Sequence, residues 1–184
     1  KIAKLLSILL FLFGLLILSG WHSGNVVLIP IISHFDLITY NAALLFLVSG
    51  LGFFSVCQGM RQPAIYSGGF VLFFASLTAA QFVFDIQLGI DEFLMTDSLT
   101  ANIASPGRMS FSVALSFIFT GFYLCLAFIK IPLFIKPTLS ATIFSLAFIA
   151  FVEHLMKVDM SSGWGMYSHM EVHTSFSFCL VSLI

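Results

Sequence analysis

Charge is scarce in this chain of 184 residues. It has 7 Lys and Arg and 8 Asp and Glu, and charged residues make up 8% of the sequence, whereas a soluble domain carries about 25%. The deficit argues against most soluble folds. It also excludes intrinsic disorder, which needs high charge and low hydrophobicity, and nucleic-acid binding, which needs a basic surface. What the sequence has in excess is apolar: 60% of its residues are hydrophobic and 23 are Phe.

Cysteine motifs and the common catalytic motifs are also missing. Cys57, Cys125 and Cys179 are scattered, without the spacing of a C-x-x-C pair, a haem-attachment motif or a zinc site. The chain contains no Walker loop, G-x-S-x-G elbow or H-E-x-x-H motif. We therefore expect the three cysteines to be reduced packing residues and this segment to hold no catalytic centre.

Long apolar stretches predict the fold class. Six of them occur, at about residues 2–21, 37–57, 65–84, 109–129, 138–156 and 168–184. A bilayer core of roughly 30 Å takes about 20 apolar helical residues, and lipid requires that backbone polar groups pair within each segment. A signal peptide would also explain the first stretch, but no small-residue cleavage site follows it. The sequence predicts an all-α membrane protein whose residues 1–184 form one transmembrane domain of six helices.

The few charges predict an orientation. Seven basic residues occur, and only Arg108 and Lys157 lie on the side that carries all eight acidic residues. Because Lys and Arg mark the cytoplasmic side of membrane proteins, we expect both termini of this multi-pass protein in the cytoplasm. The five basic residues on the predicted cytoplasmic side are Lys1, Lys4, Arg61, Lys130 and Lys136.

The two ends of the sequence predict a longer protein. It begins with Lys1 rather than Met, and no basic or aromatic residue closes the sixth stretch, which stops at Ile184. Every other junction on the predicted cytoplasmic side has at least one basic residue. We therefore expect a cytoplasmic domain to follow.

The even-numbered helices share a pattern. In Tyr40–Gly50, Phe111–Gly121 and Val172–Ser182, a polar residue precedes two small or β-branched residues, a large apolar residue and Phe, with a small residue four positions later; the offsets are 71 and 61 residues. The odd helices match more weakly, Gln81–Phe84 with Glu153–Met156. The pattern predicts three tandem helical hairpins.

This repeat puts Asn41, Ser112 and His173 at one depth, near the outer ends of their helices. Asn and Ser are typical helix caps, because their side chains accept hydrogen bonds from free backbone N–H groups. His is a poorer cap, so His173 calls for another role.

Three motifs resemble a known family: the L-G-I-D run within Leu88–Leu94, the P-G-R-M run of Pro106–Met109, and the pattern of Ser112–Gly121. Together they are similar to the multi-helix membrane input module at the amino terminus of bacterial hybrid histidine kinases and cyclic-di-GMP enzymes. The resemblance covers residues 40–184, but the chain has Ser112 where the family has Asn and Gln81 where it has Glu.

The resemblance implies a sensory domain without naming its stimulus. A histidine kinase, GGDEF or EAL domain would then follow in the cytoplasm and would form a homodimer. The resemblance also implies that the chain lies in the bacterial inner membrane. Our own hypothesis is that a small-molecule ligand in the outer half would be contacted by Asn41, Gln81 and Ser112.

Glu153 and the histidines near it form a second candidate site. A carboxylate inside an apolar helix is costly and indicates function, and a hairpin would bring Glu153 opposite His173, with His154 adjacent. His169 and His173 are four residues apart, hence on one helical face. Glu153, His169 and His173 could bind Zn, Cu, Fe or Ni. The alternatives are a structural hydrogen-bonded pair, a ligand- or proton-sensing site, and a metal or haem site.

Two outer loops leave their roles open. His22 and His34 flank an apolar segment, residues 26–32, that fits the membrane interface. Residues 85–108 contain four carboxylates and could be a lid over a cavity or a solvated edge. Arg108 either pairs with one of those carboxylates or marks the start of the fourth helix.

Three functions fit these patterns. The first is a sensor that biases a cytoplasmic output domain through differential affinity for two helix arrangements. The second is a haem- or quinone-binding electron-transfer subunit, since the chain has 5 His. The third is a transporter or an accessory subunit of a membrane complex, although three hairpins do not form two inverted halves.

Overall fold

The computed structural model describes residues 1–23, 38–95, 107–156 and 170–184. These residues form six helices and no strand, which confirms the all-helical prediction for this part of the chain. The helices are α1 (Ile2–Ser23), α2 (Tyr40–Cys57), α3 (Arg61–Phe84), α4 (Phe111–Leu126), α5 (Ile135–Leu155) and α6 (Val172–Ser182).

Four of these helices are long and apolar enough to cross a membrane, namely α1, α2, α3 and α5. The other two are apolar but shorter, with 16 residues in α4 and 11 in α6. At a rise of about 1.5 Å per residue they measure about 24 Å and about 16 Å. The four long helices suggest a membrane protein.

Two helices begin earlier than predicted because each tolerates a proline in its first turn. The α3 helix begins at Arg61 rather than at residue 65, and Pro63 is its third residue. The α5 helix begins at Ile135 rather than at residue 138, and Pro137 is likewise third. The first backbone N–H groups of a helix have no intrahelical partner, so a proline costs little at these positions.

The α2 and α4 helices begin slightly later than predicted, at side-chain caps. The Thr39 hydroxyl accepts a hydrogen bond from a backbone N–H of the first turn of α2, and the Ser110 hydroxyl does the same for α4. These hydroxyls satisfy N–H groups that would otherwise lack a partner. The interpretation of Asn41 and Ser112 as caps is therefore wrong, since each is the second residue of its helix.

The remaining boundaries differ modestly from the prediction. The α1 helix continues to Ser23, α5 ends at Leu155, and α4 ends at Leu126 rather than at residue 129. The α6 helix lies within the predicted stretch, of which residues 168 and 169 are outside the described residues.

Consecutive helices pack in pairs, and the pairs close into a ring. Within the pairs, α1 lies on α2, α3 on α4 and α5 on α6; between them, α2 contacts α3, α4 contacts α5, and α1 contacts α6. Glycines permit the closest approaches: a Cβ built on Gly50 of α2 would lie 2.5 Å from the Phe11 backbone nitrogen of α1. Small residues of this kind let membrane helices pack backbone against backbone.

The three even helices meet at a triangle of phenylalanines. The ring centroids of Phe46, Phe117 and Phe178 are 4.8, 5.0 and 4.7 Å apart. All three side chains are completely buried. They are the Phe positions of the sequence repeat, so equivalent residues of the three hairpins surround one central axis. We call them the Phe triangle.

Other buried residues are related by the same offsets of 71 and 61 residues. Ala42, Val113 and Thr174 are one such set, and all three are buried. Ile38, Met109 and Met170 are another, also buried. Corresponding residues of the three hairpins are thus buried alike.

Apolar side chains cover much of the outer surface, and small hydroxyl residues lie inside. On α1 the exposed residues include Leu5, Leu9, Leu12, Leu15 and Leu16. Buried hydroxyl residues include Ser49, Ser67, Thr78, Ser116 and Thr120. This distribution suits a lipid environment, where small and hydroxyl residues form the helix–helix contacts.

Most charged residues of the described part of the chain lie at opposite ends of the bundle according to their sign, and Arg108 is the basic residue found at the acidic end. At the basic end, α1 and α3 begin and α2 and α4 end. The Lys4 ammonium at the start of α1 lies 5.3 Å from the ring centroid of Phe54 near the end of α2. Cys125 Sγ near the end of α4 donates to the Ile65 carbonyl oxygen near the start of α3 over 3.9 Å. The acidic end holds all five described carboxylates, which are Asp85, Asp91, Glu92, Glu153 and Glu171.

Candidate functional site

Asp91 connects the ends of three helices at the acidic end. It lies in the segment after α3, and its neighbours are Asn41 from the start of α2, Gln81 from the last turn of α3 and Arg108 just before α4. We call these four residues the Asp91 cluster. Two of them, Asn41 and Gln81, are predicted site residues. The structure brings both to Asp91, Asn41 to its backbone carbonyl and Gln81 to its carboxylate.

The two oxygens of the Asp91 carboxylate have different donors. Gln81 Nε2 donates to Oδ1 over 2.9 Å, and Arg108 Nε donates to Oδ2 over 2.9 Å. The side chains of Arg108 and Asp91 are only 11% and 12% exposed. Hydrogen bonds between charged groups are stronger than neutral ones, so the pair fixes the approach to α4 against the segment after α3. Of the two roles predicted for Arg108, the structure favours pairing with a carboxylate.

Gln81 also binds the chain beyond its own helix. Its side chain is fully buried, and its Oε1 accepts a hydrogen bond from the Leu88 backbone N–H over 2.8 Å. Asp85 ends α3 in the left-handed conformation, with φ of 49°. That conformation turns the chain back, and both ends of the Gln81 amide then hold the returning segment. A buried amide with both groups paired avoids the cost of an unsatisfied polar group.

Asn41 joins the first hairpin to the second. Its Nδ2 donates to the carbonyl oxygens of Asp91 over 2.9 Å and of Ile90 over 3.2 Å, and its side chain is 2% exposed. Its Oδ1 receives no hydrogen bond from the residues that the structure describes. The Asp91 backbone is therefore held by α2, while its carboxylate is held by α3 and Arg108.

Gly107 and Phe82 complete the surroundings of the Asp91 cluster. Gly107 has φ of +71°, and a Cβ there would lie 2.8 Å from the Asp91 carbonyl oxygen, so this close turn requires glycine. The Arg108 guanidinium lies 5.5 Å from the Phe82 ring centroid, a distance at which a cation is attracted to an aromatic face. Arg108 is thus oriented from two sides.

Ser112 lies in the first turn of α4, close to the Asp91 cluster in sequence but with other contacts. Its hydroxyl is 3.2 Å from the Ser110 hydroxyl, and its carbonyl oxygen accepts from Ser116 Oγ over 2.9 Å. Ser112 therefore takes part in the local structure of the helix start, and its predicted role in ligand binding stays a prediction.

The structure describes only some residues of the second predicted site. Glu153 and His154 are half-buried in the last turn of α5, and His173 is half-buried in the first turn of α6 at the same end of the bundle. His169 lies outside the described residues. Among the described residues, no group of three metal-binding side chains comes together. The metal site that includes His169 stays a prediction.

The other residues singled out from the sequence have simple surroundings. His22 Nε2 lies 3.2 Å from the Tyr40 hydroxyl, which joins the end of α1 to the start of α2; His34 is outside the described residues. The cysteines are free thiols, with Cys57 exposed and Cys125 and Cys179 half-buried in helices.

Sequence reasoning missed Asp91 as the central residue of the site. Its segment carries four carboxylates, and no spacing distinguishes one of them. The available signal was the L-G-I-D run itself, which ends at Asp91, together with the cation at Arg108.

The contacts of the Asp91 cluster are those of a structural connection between helices. Comparisons with known proteins add no further assignment: no protein-family model, no curated protein and no solved structure matches this chain.

Proposed function

We propose that this chain is the membrane-embedded input domain of a bacterial signal-transduction protein. It senses a small-molecule ligand or a membrane state in its outer half and relays the change to a cytoplasmic output domain that dimerises. The observation that carries the proposal is the Asp91 cluster, which connects an outer segment to helices of two different hairpins. The resemblance of the same segment to bacterial input modules supports it.

The relay follows from what the Asp91 cluster is attached to. Asn41 is five residues before Phe46 on α2, and Ser112 is five residues before Phe117 on α4. A stimulus that rearranges the outer segment changes the hydrogen bonds at the start of α2 and the end of α3. It therefore changes how the even helices meet at the Phe triangle, which α6 shares through Phe178. A ligand drives this only if it binds one arrangement more tightly than the other.

The proposal includes six crossings of the bacterial inner membrane, with both termini in the cytoplasm. Six crossings are supported by the packing of the short helices α4 and α6 against α2, which is long enough to span a membrane. Phe117 of α4 and Phe178 of α6 both contact Phe46 of α2. The orientation is supported by Lys and Arg at the basic end, since basic residues favour the cytoplasmic side. The acidic end, including the Asp91 cluster, then faces outward.

The exposed thiol of Cys57 provides a test of this orientation. Cys57 lies at the end of α2, at the basic end. A membrane-impermeant maleimide added to spheroplasts is expected to leave Cys57 unlabelled until the membrane is permeabilised. In a Cys57→Ser background, Asp85→Cys is expected to react without permeabilisation, because Asp85 is exposed at the acidic end. Labelling of Cys57 in sealed spheroplasts would show that the orientation is inverted.

The sensor function is tested by the output of the full-length protein. We expect the coding sequence that adjoins these residues to encode a kinase, GGDEF or EAL domain, whose activity is measured in isolated membranes. Asn41→Ala removes two hydrogen bonds, each worth about 0.5–1.5 kcal/mol, and is expected to change the basal output several-fold. Glu153→Gln and His173→Gln test the second predicted site in the same assay.

Ser145→Ala is the matched control for these variants. Its hydroxyl is exposed and donates within its own helix to the Ala141 carbonyl oxygen, so the output is expected to stay at the parent level. An adjoining sequence without a signalling domain would overturn the proposal. So would an unchanged output in Asn41→Ala, Glu153→Gln and His173→Gln when all three proteins are folded and present at parent levels.

A further inference from the structure

A groove lies between α1 and α2, near the basic end and on the outside of the bundle. It has a volume of about 320 Å³, at the lower limit of the roughly 300–1,000 Å³ typical of ligand pockets. Ile8 and Leu51 form its rim and are 37% and 45% exposed. The residues that line the groove are Ser7, Ile8, Phe11, Gly50, Leu51 and Phe54.

The wall of the groove offers carbon and almost no hydrogen-bonding capacity. The one polar side chain is Ser7, which is fully buried and whose hydroxyl donates to the Lys4 carbonyl oxygen over 2.9 Å. Gly50 lets the backbones of α1 and α2 approach closely beside the groove, since a Cβ built there would lie 2.5 Å from the Phe11 backbone nitrogen. A hydrocarbon chain fits such a surface, whereas a polar solute would lose its hydrogen bonds to water there.

A cation lies at one end of this groove. The Lys4 ammonium is 5.3 Å from the ring centroid of Phe54, one of the lining residues, and Lys4 is exposed on the bundle surface. Lys4 is also three and four residues from Ser7 and Ile8, so it is one helical turn beyond the groove on α1. The apolar space and the positive charge therefore adjoin each other along α1.

We propose that this groove is a binding site for an anionic phospholipid. One acyl chain lies along Ile8, Leu51 and Phe54, and the phosphate of the headgroup pairs with Lys4 at the membrane surface. The match of an apolar groove with the Lys4 cation at its polar end favours a lipid that has both an acyl chain and a negative charge. This site depends on the membrane location of the chain and is independent of the sensor function, because it lies at the end of the bundle opposite to the Asp91 cluster.

A tryptophan placed in the groove can report its occupant. The Leu51→Trp protein is reconstituted in phosphatidylcholine vesicles. One set of vesicles contains brominated phosphatidylglycerol and the other contains brominated phosphatidylcholine, and the brominated acyl chains quench tryptophan fluorescence on contact. The parent protein corrects for Trp21 and Trp164. We expect brominated phosphatidylglycerol to bind about fivefold more strongly than brominated phosphatidylcholine, the factor that one basic residue near an anionic membrane surface contributes.

Two variants and one control position separate this site from general lipid contact. Lys4→Gln in the Leu51→Trp protein is expected to bring the preference close to one, and Lys4→Arg is expected to keep it. A tryptophan at Phe73, a residue of α3 that is 65% exposed and outside the groove, is expected to show no preference.

Each contrary result overturns the proposal. Equal quenching by the two lipids at the groove would show that the headgroup is not recognised, and an unchanged preference in Lys4→Gln would exclude Lys4. An equal preference in the Phe73→Trp protein would indicate general attraction of anionic lipid. Helical circular dichroism of each variant verifies that the bundle is folded.

Discussion

Replacing Asp91 by asparagine is expected to lower the free energy of unfolding by about 3 kcal/mol. The change keeps the shape of the side chain but leaves Arg108 with its charge, 11% exposed and without its carboxylate partner. Removing one member of a buried ion pair costs about 3–5 kcal/mol, and the small remaining exposure favours the lower value. The measurement is the free energy of unfolding in detergent, from an unfolding curve monitored by circular dichroism.

Asp85→Asn is the matched control for this prediction. Asp85 carries the same charge in the same loop but is exposed, and asparagine also adopts its left-handed conformation, φ 49°. We expect a change within about 0.5 kcal/mol. Arg108→Gln alone should cost a similar amount to Asp91→Asn, and the double variant less than their sum, because the two residues are in contact. Equal stability of the Asp91 and Asp85 variants would show that the ion pair contributes nothing.

Replacing Gly121 by alanine is expected to separate α3 from α4. The added Cβ would lie 2.7 Å from the Leu72 backbone nitrogen and 2.9 Å from the Gly68 carbonyl oxygen. Backbone atoms cannot rotate away as a flexible side chain can, so the two helices must move apart. Overpacking of this kind costs about 1–3 kcal/mol, sometimes more, measured as the decrease in unfolding free energy in detergent.

Gly69→Ala provides the control on the same hairpin. Gly69 is next to Gly68 on α3, but among the described residues no atom lies within 4 Å of a Cβ built there. Alanine favours the helix over glycine by up to about 1 kcal/mol, so this variant is expected to be equal to or more stable than the parent. If Gly121→Ala were as stable as Gly69→Ala, the close contact of α3 with α4 would be wrong.

Helix type could be predicted because it depends on local pattern, whereas the meeting of the three central phenylalanines is a contact between hairpins that the structure reveals. Apolar length predicts helices in lipid, and the repeat singled out Phe46, Phe117 and Phe178. The helix starts at Arg61 and Ile135 were missed because the predicted stretches followed apolar residues alone, whereas a first turn can contain polar residues and a proline.

The Asp91 cluster was only half predictable because its contacts are long-range. Asn41 is 50 residues from Asp91, and Arg108 is 17 residues away. No periodicity connects such distances, and the carboxylates of the loop are equivalent until the chain is folded. The resemblance to input modules singled out Gln81, and the repeat singled out Asn41, but neither identified the residue that both hold.

The Phe triangle also constrains how the bundle can move. Each ring contacts the other two, with ring centroids 4.8, 5.0 and 4.7 Å apart. At that level each hairpin therefore packs against both of the other hairpins. A hairpin that tilts or rotates must give up contacts on both sides, and the vacated space is then shared by the two hairpins that stayed. Rearrangement of this bundle therefore involves all three hairpins at once. The packing of the Phe triangle disfavours a movement of two hairpins that leaves the third in place.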